Sequence, residues 1–340
     1  MRKNIVFIAF LIFFLSFTFN VFAQRGTARE ETVNIRLAST LPRNSDWGRA
    51  LDRLAADWQR GTNNALRVVV SHDGREGSEA RMLSSLTSND IQVAVFSSAG
   101  ISEICPAVLN LSVPFMINTE AELDLVLREV LPVIERRVRN EFVVLTWSRG
   151  GWVYLYSKDA VFTPDDLRRQ RLATSPELRE INTVFRTMGF NLVESDMQSL
   201  GPRLANNMVN SIYIIPSILA PLGLHRSIGH MLDMPIAPVM GALVMNRVTW
   251  NRLSSAHQQE ILRLARAMGS GFDTSAARTE TNAIAAMRRD GLRINQPTQA
   301  HRNLWQTELQ NVLPSIIGSI FDRDIYNQIS AILERSRSGR

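Results

Sequence analysis

The stretch DDLRRQRLATSPE, Asp165 to Glu177, places three arginines within four residues and then turns apolar and small. A guanidinium group binds a carboxylate through two parallel hydrogen bonds, so this cluster is a candidate for holding an anionic ligand. Lysine occurs only at Lys3 and Lys158, however, so nearly every cation of this chain is an arginine. A solvated cluster on a loop is therefore the competing interpretation of Arg168, Arg169 and Arg171.

Motifs of the common catalytic and nucleotide-binding sites are absent from the sequence. It contains no G-x-G-x-x-G, no phosphate-loop lysine motif, no G-x-S-x-G and no H-E-x-x-H. His225 and His230 are poorly spaced for one helical face, and the single cysteine, Cys105, does not extend them to a metal site. Asp73 and Glu79 flank a glycine-rich turn without the ligand spacing of a calcium loop. Nothing in the sequence calls for an enzyme, a metal or a cofactor.

The amino terminus predicts export. Arg2 and Lys3 precede an almost wholly apolar run from Ile5 to Phe19, and Val21-Phe22-Ala23 ends in a small residue. This pattern predicts a signal peptide over residues 1–23, cleaved before Gln24, with a retained membrane anchor as the alternative. Without the two signal cations the formal charge falls from +6 to about +4, and no basic run indicates nucleic acid binding. We expect a periplasmic protein that is stabilised by core burial rather than by disulfides.

Strand and helix patterns alternate along the rest of the chain, which predicts an α/β fold with a mainly parallel sheet covered on both faces. The predicted strands are 33–37, 66–70, 91–96, 142–147, 153–156, 211–215 and 242–245. The predicted helices include one carrying Trp47, one near 79–86, one near 120–130, one around 178–188, and a long one that follows Ser255, with Gln258 as its capping-box partner.

Six segments, in order, resemble the extracytoplasmic solute-binding proteins of tripartite ATP-independent periplasmic (TRAP) transporters over about residues 33–305. They are Asn34–Ala38 with the helix through Trp47, Gly61-Thr62-Asn63-Asn64, 86–97, Val113-Pro114-Phe115, VFTPDDL at 161–167, and Leu243–Asn246 with Trp250 and Leu253. The resemblance implies a two-lobed fold with a ligand cleft between the lobes and a long spine helix. It implies lobe I over 32–150 plus about 240–275, and lobe II with the spine helix over 151–239 plus about 276–335.

The family's usual carboxylate clamp is altered in this sequence. Aligning Asp166-Leu167 with the family's T-P-x-D-L segment puts Arg171 at a lysine position and Ala173 where the clamping arginine stands. A second arginine position falls at or beside Trp152, and Asn210 stands where an aspartate is common. Either Arg171, Arg169 or Arg149 has taken over the anion, or the pocket has lost its clamp and binds an uncharged or hydrophobic ligand.

The second alternative is our main prediction, because aromatic and apolar residues cluster in the segments that line the cleft in relatives. An acid buried without a cation would cost several kcal/mol. The predicted ligand-binding residues are Trp47, Trp147, Arg149, Trp152, Tyr154, Arg171, Ala173, Asn210, Tyr213 and Met240. The resemblance implies a small-molecule ligand, delivered to TRAP membrane subunits, and a tetratricopeptide-repeat protein as a possible partner of the subtype that lacks the clamp. Alternatives are an organic-acid receptor with a displaced arginine, a ligand-free scaffold, and an exported hydrolase.

Overall fold

The computed structural model describes residues 32–338, and the predicted signal peptide lies outside the described residues. Within residues 32–338, ten strands form one mixed sheet. They are β1 (Val33–Ala38), β2 (Leu66–Ser71), β3 (Val93–Ser97), β4 (Phe142–Ser157), β5 (Leu172–Thr174), β6 (Leu192–Glu194), β7 (Ser211–Ile214), β8 (His230–Leu232), β9 (Ala237–Asn246) and β10 (Arg293–Asn295). Their main order is β2-β1-β3-β9-β4-β7-β5-β6, with β8 pairing β4 and β10 pairing β8.

Helices cover the strands. The α-helices are α1 (Asp46–Gly61), α2 (Glu79–Thr87), α3 (Ser98–Ser102), α4 (Glu120–Glu135), α5 (Pro164–Arg168), α6 (Arg179–Thr187), α7 (Met197–Ala205), α8 (Pro216–Leu222), α9 (Arg247–Asn251), α10 (Ser255–Arg289), α11 (Gln299–Ile316) and α12 (Arg323–Ser338). The described part of the chain also has 3₁₀ helices at Pro106–Ser112 and Leu224–Ser227. In residues 32–338, no helix is both long enough and apolar enough to cross a bilayer.

Two lobes follow from the strand pairing. Within lobe I, β1 runs parallel to β2 and β3, and within lobe II, β5 runs parallel to β6 and β7. The long strands β4 and β9 pair antiparallel with each other and join the lobes, and β4 also pairs antiparallel with β7. The expectation of a mainly parallel sheet therefore holds within the lobes and fails at the connection between them.

Strand β4 is one continuous element, whereas the sequence predicted two strands separated near residues 148–152. Gly150 and Gly151 weaken the strand signal there, and the ladder with β9 shifts register between Arg149 and Gly151. Gly151 has a φ of +103°, a backbone conformation that residues with a Cβ rarely adopt. The bulge thus bends β4 at the junction of the lobes without breaking it.

Helix α10 is the spine. Its residues contact β4 along much of that strand, α1 in lobe I and α8 in lobe II. Its N-cap is Ser254, not Ser255, because the Ser254 hydroxyl accepts the amide of His257. The Gln258 side chain donates instead to the carbonyl oxygens of Trp250 and Leu253.

Two tryptophans anchor the two hydrophobic cores. Trp58 lies on α1 and is fully buried, and its indole donates to the carbonyl of Ile261 on α10 at 3.2 Å. Trp305 is 1% exposed on α11 and donates to the carbonyl of Phe162 at 3.0 Å. Burial of an aromatic ring of this size supplies a large share of each core's stability.

The predicted lobe boundary at the carboxyl end needs a correction. The sequence assigned residues up to 335 to lobe II, but α12 packs on α4, which lies in the segment assigned to lobe I. Arg335 pairs with Glu129, and the Arg337 guanidinium donates to Glu122 at 2.8 Å. The chain therefore returns to lobe I at its end.

Candidate functional site

The register of the sheet locates a cleft between the lobes. The carboxyl end of β3 reaches Gly241 of β9, which pairs with Ser148 of β4, while the carboxyl end of β7 reaches Tyr154 of β4. Strands β3 and β7 run in opposite directions, so their carboxyl ends face each other across the segment Ser148–Tyr154, a span of about 20 Å. Ligands of open α/β sheets bind outside the carboxyl ends of the strands, so this segment is the candidate site.

Glu79 is an acidic residue on the lobe I side of this interlobe cleft. It opens α2, and its carboxylate accepts the Ser97 amide at 3.0 Å and the Ser97 hydroxyl at 2.8 Å. Burial raises the pKa of the Glu79 carboxyl, and the charge of Glu177 from lobe II raises it further, against the hydrogen bonds from Ser97 and Gly100. Ser97, at the carboxyl end of β3 in lobe I, and Glu177, which follows β5 in lobe II, therefore both influence the pKa of the Glu79 carboxyl.

The position aligned with the family's clamping arginine is buried and apolar. Ala173 is 5% exposed in the middle of β5, paired with Ile212 of β7 and Val193 of β6. Thr174 follows it at the carboxyl end of the strand and, at 4% exposure, is also buried. No cation extends from this strand towards the cleft.

The arginines of the opening cluster are bound elsewhere. Arg171 precedes β5, so it lies at the end of the strand away from the cleft, where its guanidinium donates to the carbonyls of Asn207 and Met208. Arg169 pairs with Asp166, and Arg168 pairs with Asp165 and Glu308. Asn210 lies beside Arg171 and accepts its amide at 2.6 Å. Arg171, Arg169 and Asn210 therefore lie away from the segment Ser148–Tyr154.

Arg149 is the one predicted arginine on the segment that joins the lobes. Its guanidinium pairs with Glu120 at 3.0 Å and with Asp124, both on α4, and its backbone amide donates to Asp273 on α10 at 2.8 Å. Burial disfavours the charged guanidinium, but the hydrogen bond and charge of Asp124, with the charges of Asp273 and Glu120, raise the pKa of Arg149. Its Nε atom is buried and has no hydrogen-bond partner among the described residues.

Trp152 and Tyr154 belong to the same polar network. The Trp152 indole donates to Glu120 at 2.5 Å, and the Trp152 amide and the Tyr154 hydroxyl both donate to Glu280 on α10, at 2.8 and 2.9 Å. Burial raises the pKa of the Glu280 carboxyl, against these two hydrogen bonds. Burial and the charge of Glu280 likewise raise the pKa of Tyr154. The sequence did not single out Glu120 or Glu280.

The remaining predicted residues are dispersed. Trp47 stacks on Phe272 of α10 with ring centroids 3.6 Å apart, and Tyr213 packs edge-on against Phe185 in lobe II, 5.1 Å between centroids. Trp147 and Met240 line a different cavity, described below, although both backbone groups of Met240 bond the Ser98 hydroxyl near the cleft. From the sequence, Glu79 was considered only as a flank of the glycine-rich turn and was not among the predicted ligand-binding residues. Its place in the first turn of a helix after Ser78 was the available signal.

The sequence profile of the bacterial extracellular solute-binding protein family 7 (DctP) matches residues 37–319. The chain belongs to this family. Its members are solute-binding proteins and not enzymes, and the family is periplasmic in location. Among curated proteins, none matches this family 7 chain.

Solved structures of TRAP periplasmic solute-binding proteins share the fold of this family 7 protein. One from Ralstonia eutropha H16, with bound (S)-2-acetolactate, has a TM-score of 0.80 and 18% identity, covering 89% of this chain and 99% of its own. One from Chromohalobacter salexigens, with bound D-glucuronate, has a TM-score of 0.78 and 17% identity, covering 88% and 99%. One from Sulfurospirillum deleyianum, with bound succinate, has a TM-score of 0.77 and 16% identity, with the same coverage. The two-lobed fold expected from the sequence is confirmed.

Proposed function

We propose that this protein is a TRAP-type receptor that captures a small organic acid in the interlobe cleft and delivers it to membrane subunits. The observation that carries the proposal is Arg149, a guanidinium on the segment joining the lobes whose buried Nε lacks a partner. The fold relatives with bound glucuronate, acetolactate and succinate support an acid ligand. This favours the displaced-arginine alternative over our main prediction from the sequence.

Capture requires that the acid compete with protein carboxylates. Arg149 is held by Glu120 and Asp124, and a ligand carboxylate would replace one of these partners or, once the side chain shifts to expose it, bond the buried, unpaired Nε. Burial raises the pKa of the Glu79 carboxyl, and the Ser98 hydroxyl, which donates to the carbonyl of Met240, can exchange that bond for a ligand oxygen. Contact with both lobes would favour the closed form, which is how a ligand shifts such an equilibrium.

An uncharged or hydrophobic ligand remains the second candidate, and Ala173 is the observation that favours it. The strand that carries the clamp in relatives ends here in small, buried residues. A tetratricopeptide-repeat partner gains no support from the fold relatives and stays a prediction, as does the cleaved signal peptide.

A thermal-shift comparison separates the two candidates. Succinate, glucuronate and 2-acetolactate are compared with their amides, using the wild type, Arg149→Gln and the matched control Arg171→Gln, whose guanidinium lies away from the cleft. A ligand at about a hundred times its dissociation constant adds roughly 2.7 kcal/mol of stability. We expect acids to stabilise the wild type and Arg171→Gln, and to lose about tenfold or more in affinity with Arg149→Gln.

Two other outcomes would contradict the proposed acid receptor. Equal stabilisation by acids and amides, unchanged in Arg149→Gln, would contradict the acid receptor and support an uncharged ligand. If neither class stabilises the protein, the ligand-free scaffold becomes the better account.

A further inference from the structure

A groove lies along the open edge of β4 in lobe I, between helices α4 and α10. Residues 142–149 of β4 pair only with β9, so the other edge of this half-strand faces the groove, which we call the edge groove. Its volume is about 280 Å³. A cavity of about 150 Å³ already accommodates benzene, so a small organic molecule fits here.

Each helix presents one face to the edge groove. Leu127, Leu131 and Glu135 recur every four residues on α4, and Arg266, Ser270 and Asp273 recur at four and three residues on α10. Both spacings place side chains on a single helical face. The α4 side is mainly aliphatic and the α10 side is polar, so the groove is amphipathic.

Two polar groups of the edge groove have no protein partner. The Ser148 hydroxyl lies on the groove floor, is 3% exposed as a residue, and makes no hydrogen bond within the described residues. Arg266 at the rim forms no ion pair or hydrogen bond in residues 32–338. The buried Ser148 hydroxyl without a partner costs about 1–3 kcal/mol, which a ligand oxygen would recover, whereas Arg266 is exposed and offers a solvated cation.

The acidic groups of the edge groove are already engaged. Glu135 accepts the indole of Trp147 at 2.8 Å, and Asp273 accepts the backbone amide of Arg149 at 2.8 Å. Two carboxylates against one guanidinium give the lining a net negative charge. A simple anion would therefore meet repulsion, whereas a simple cation would leave Arg266 and Ser148 unused.

We propose that the edge groove binds an α-amino acid with an aliphatic side chain. Its carboxylate bonds Arg266 and the Ser148 hydroxyl, its ammonium lies near Asp273, and its side chain lies along Leu127 and Leu131. Such a zwitterion matches both signs of charge and the aliphatic wall together. This site is separate from the interlobe cleft, because its lining comes from lobe I and the spine helix.

The test titrates L-leucine, 3-methylbutylamine and 4-methylpentanoate into the full chain, with the indole ¹⁵N–¹H signal of Trp147 as the local readout. Trp147→Phe assigns that signal. We expect saturable movement of the Trp147 signal with leucine, and weak or no movement with the amine or the acid. Arg266→Gln should lower leucine affinity about tenfold or more, while the control Arg278→Gln, exposed on the same helix, should leave it unchanged.

Ser148→Ala provides a second variant. Removing a buried hydroxyl that has no partner should keep the protein folded, yet it should lower leucine affinity severalfold. A Trp147 signal that does not move with leucine overturns the proposal, and so does leucine binding that survives both Arg266→Gln and Ser148→Ala. Equal responses to leucine and 4-methylpentanoate overturn the amino-acid assignment. None of these results bears on acid binding in the interlobe cleft, which Arg149→Gln reports separately.

Discussion

The interlobe cleft and the edge groove share strand β4 but differ in how their polar groups are satisfied. In the cleft, the Glu79 carboxylate and the Ser98 hydroxyl already bond Ser97 and Met240. In the groove, the Ser148 hydroxyl and Arg266 have no partner among the described residues. A ligand of the cleft must therefore replace the protein contacts of Glu79 and Ser98 and, within residues 32–338, finds an unpaired group only at the Nε of Arg149, whereas a ligand of the groove adds contacts to two unpaired groups.

This difference agrees with the position of each site relative to the junction between the lobes. The cleft lies between two lobes that meet at a bulged, glycine-containing segment of β4, and closure of two lobes about such a segment brings a ligand into contact with both. The groove lies between β4, helix α4 of lobe I and the spine helix α10, and side-chain bonds from Trp147 and Arg149 join α4 to β4. Ligand selection in the cleft is expected to depend on closure, and in the groove on fit to a preformed shape.

The largest effect is expected from Trp147→Ala, which removes a wall of the groove. Trp147 is 9% exposed and belongs to the large hydrophobic core, so its truncation should lower the free energy of unfolding by about 3–5 kcal/mol. Urea unfolding followed by circular dichroism measures this change. Leu304→Ala, a half-exposed position on α11, is the control and should cost much less.

A small loss for Trp147→Ala, combined with weaker acid binding, would contradict this assignment. Trp147 would then be a ligand-binding residue of the cleft, as the sequence predicted. The edge groove would then lack a rigid wall and could not be a preformed site.

The sequence predicted β1, β2, β3, β7 and part of β9 because alternation is a local signal, but it missed β5, β6, β8 and β10, whose three residues are too few to show alternation. It missed the continuity of β4, since Gly150 and Gly151 lack the side chains on which a strand pattern depends. It also assigned Trp147 and Met240 to the cleft, because position along a strand does not reveal which neighbouring element covers the side chain. Here α4 and α10, which are distant in sequence, make that difference.

The arginines illustrate the same limit. Arg171 precedes β5 by one residue, and the orientation of that strand puts its amino end away from the cleft, a conclusion that strand polarity alone allowed. The partners of Arg149 could not be predicted, because Glu120 and Asp124 come from a helix 25 to 29 residues away. Glu79 and Glu177 meet only because two lobes face each other.

An intermediate effect is expected from Ala173→Arg, which would give the cleft the cation that its strand lacks. A charge-assisted hydrogen bond contributes about 1.5–3 kcal/mol, so affinity for succinate should rise roughly tenfold to a hundredfold. Calorimetric titration measures the gain, and Ala173→Gln controls for side-chain volume.

Unchanged succinate affinity in a folded Ala173→Arg protein would show that residue 173 does not reach the cleft. Equal gains in Ala173→Arg and Ala173→Gln would remove charge as the cause. Either result would mean that the residues that bind the ligand in the cleft are not those at the end of β5.

The smallest effect is expected from Glu79→Gln, and it appears as a change in pH dependence. Burial raises the pKa of Glu79 in the folded protein, so its contribution to stability is fully present below the unfolded pKa, near 4.5, and is lost as pH rises through the folded pKa. Glutamine cannot ionise, so Glu79→Gln should flatten the loss of stability on the alkaline side of pH 4.5. Urea unfolding at a series of pH values measures the slope, with Glu76→Gln as the neighbouring control. A slope that Glu79→Gln leaves unchanged would mean that the cleft carboxyl is solvated and charged, and the cleft would then resemble the groove, with a polar group free to meet a ligand.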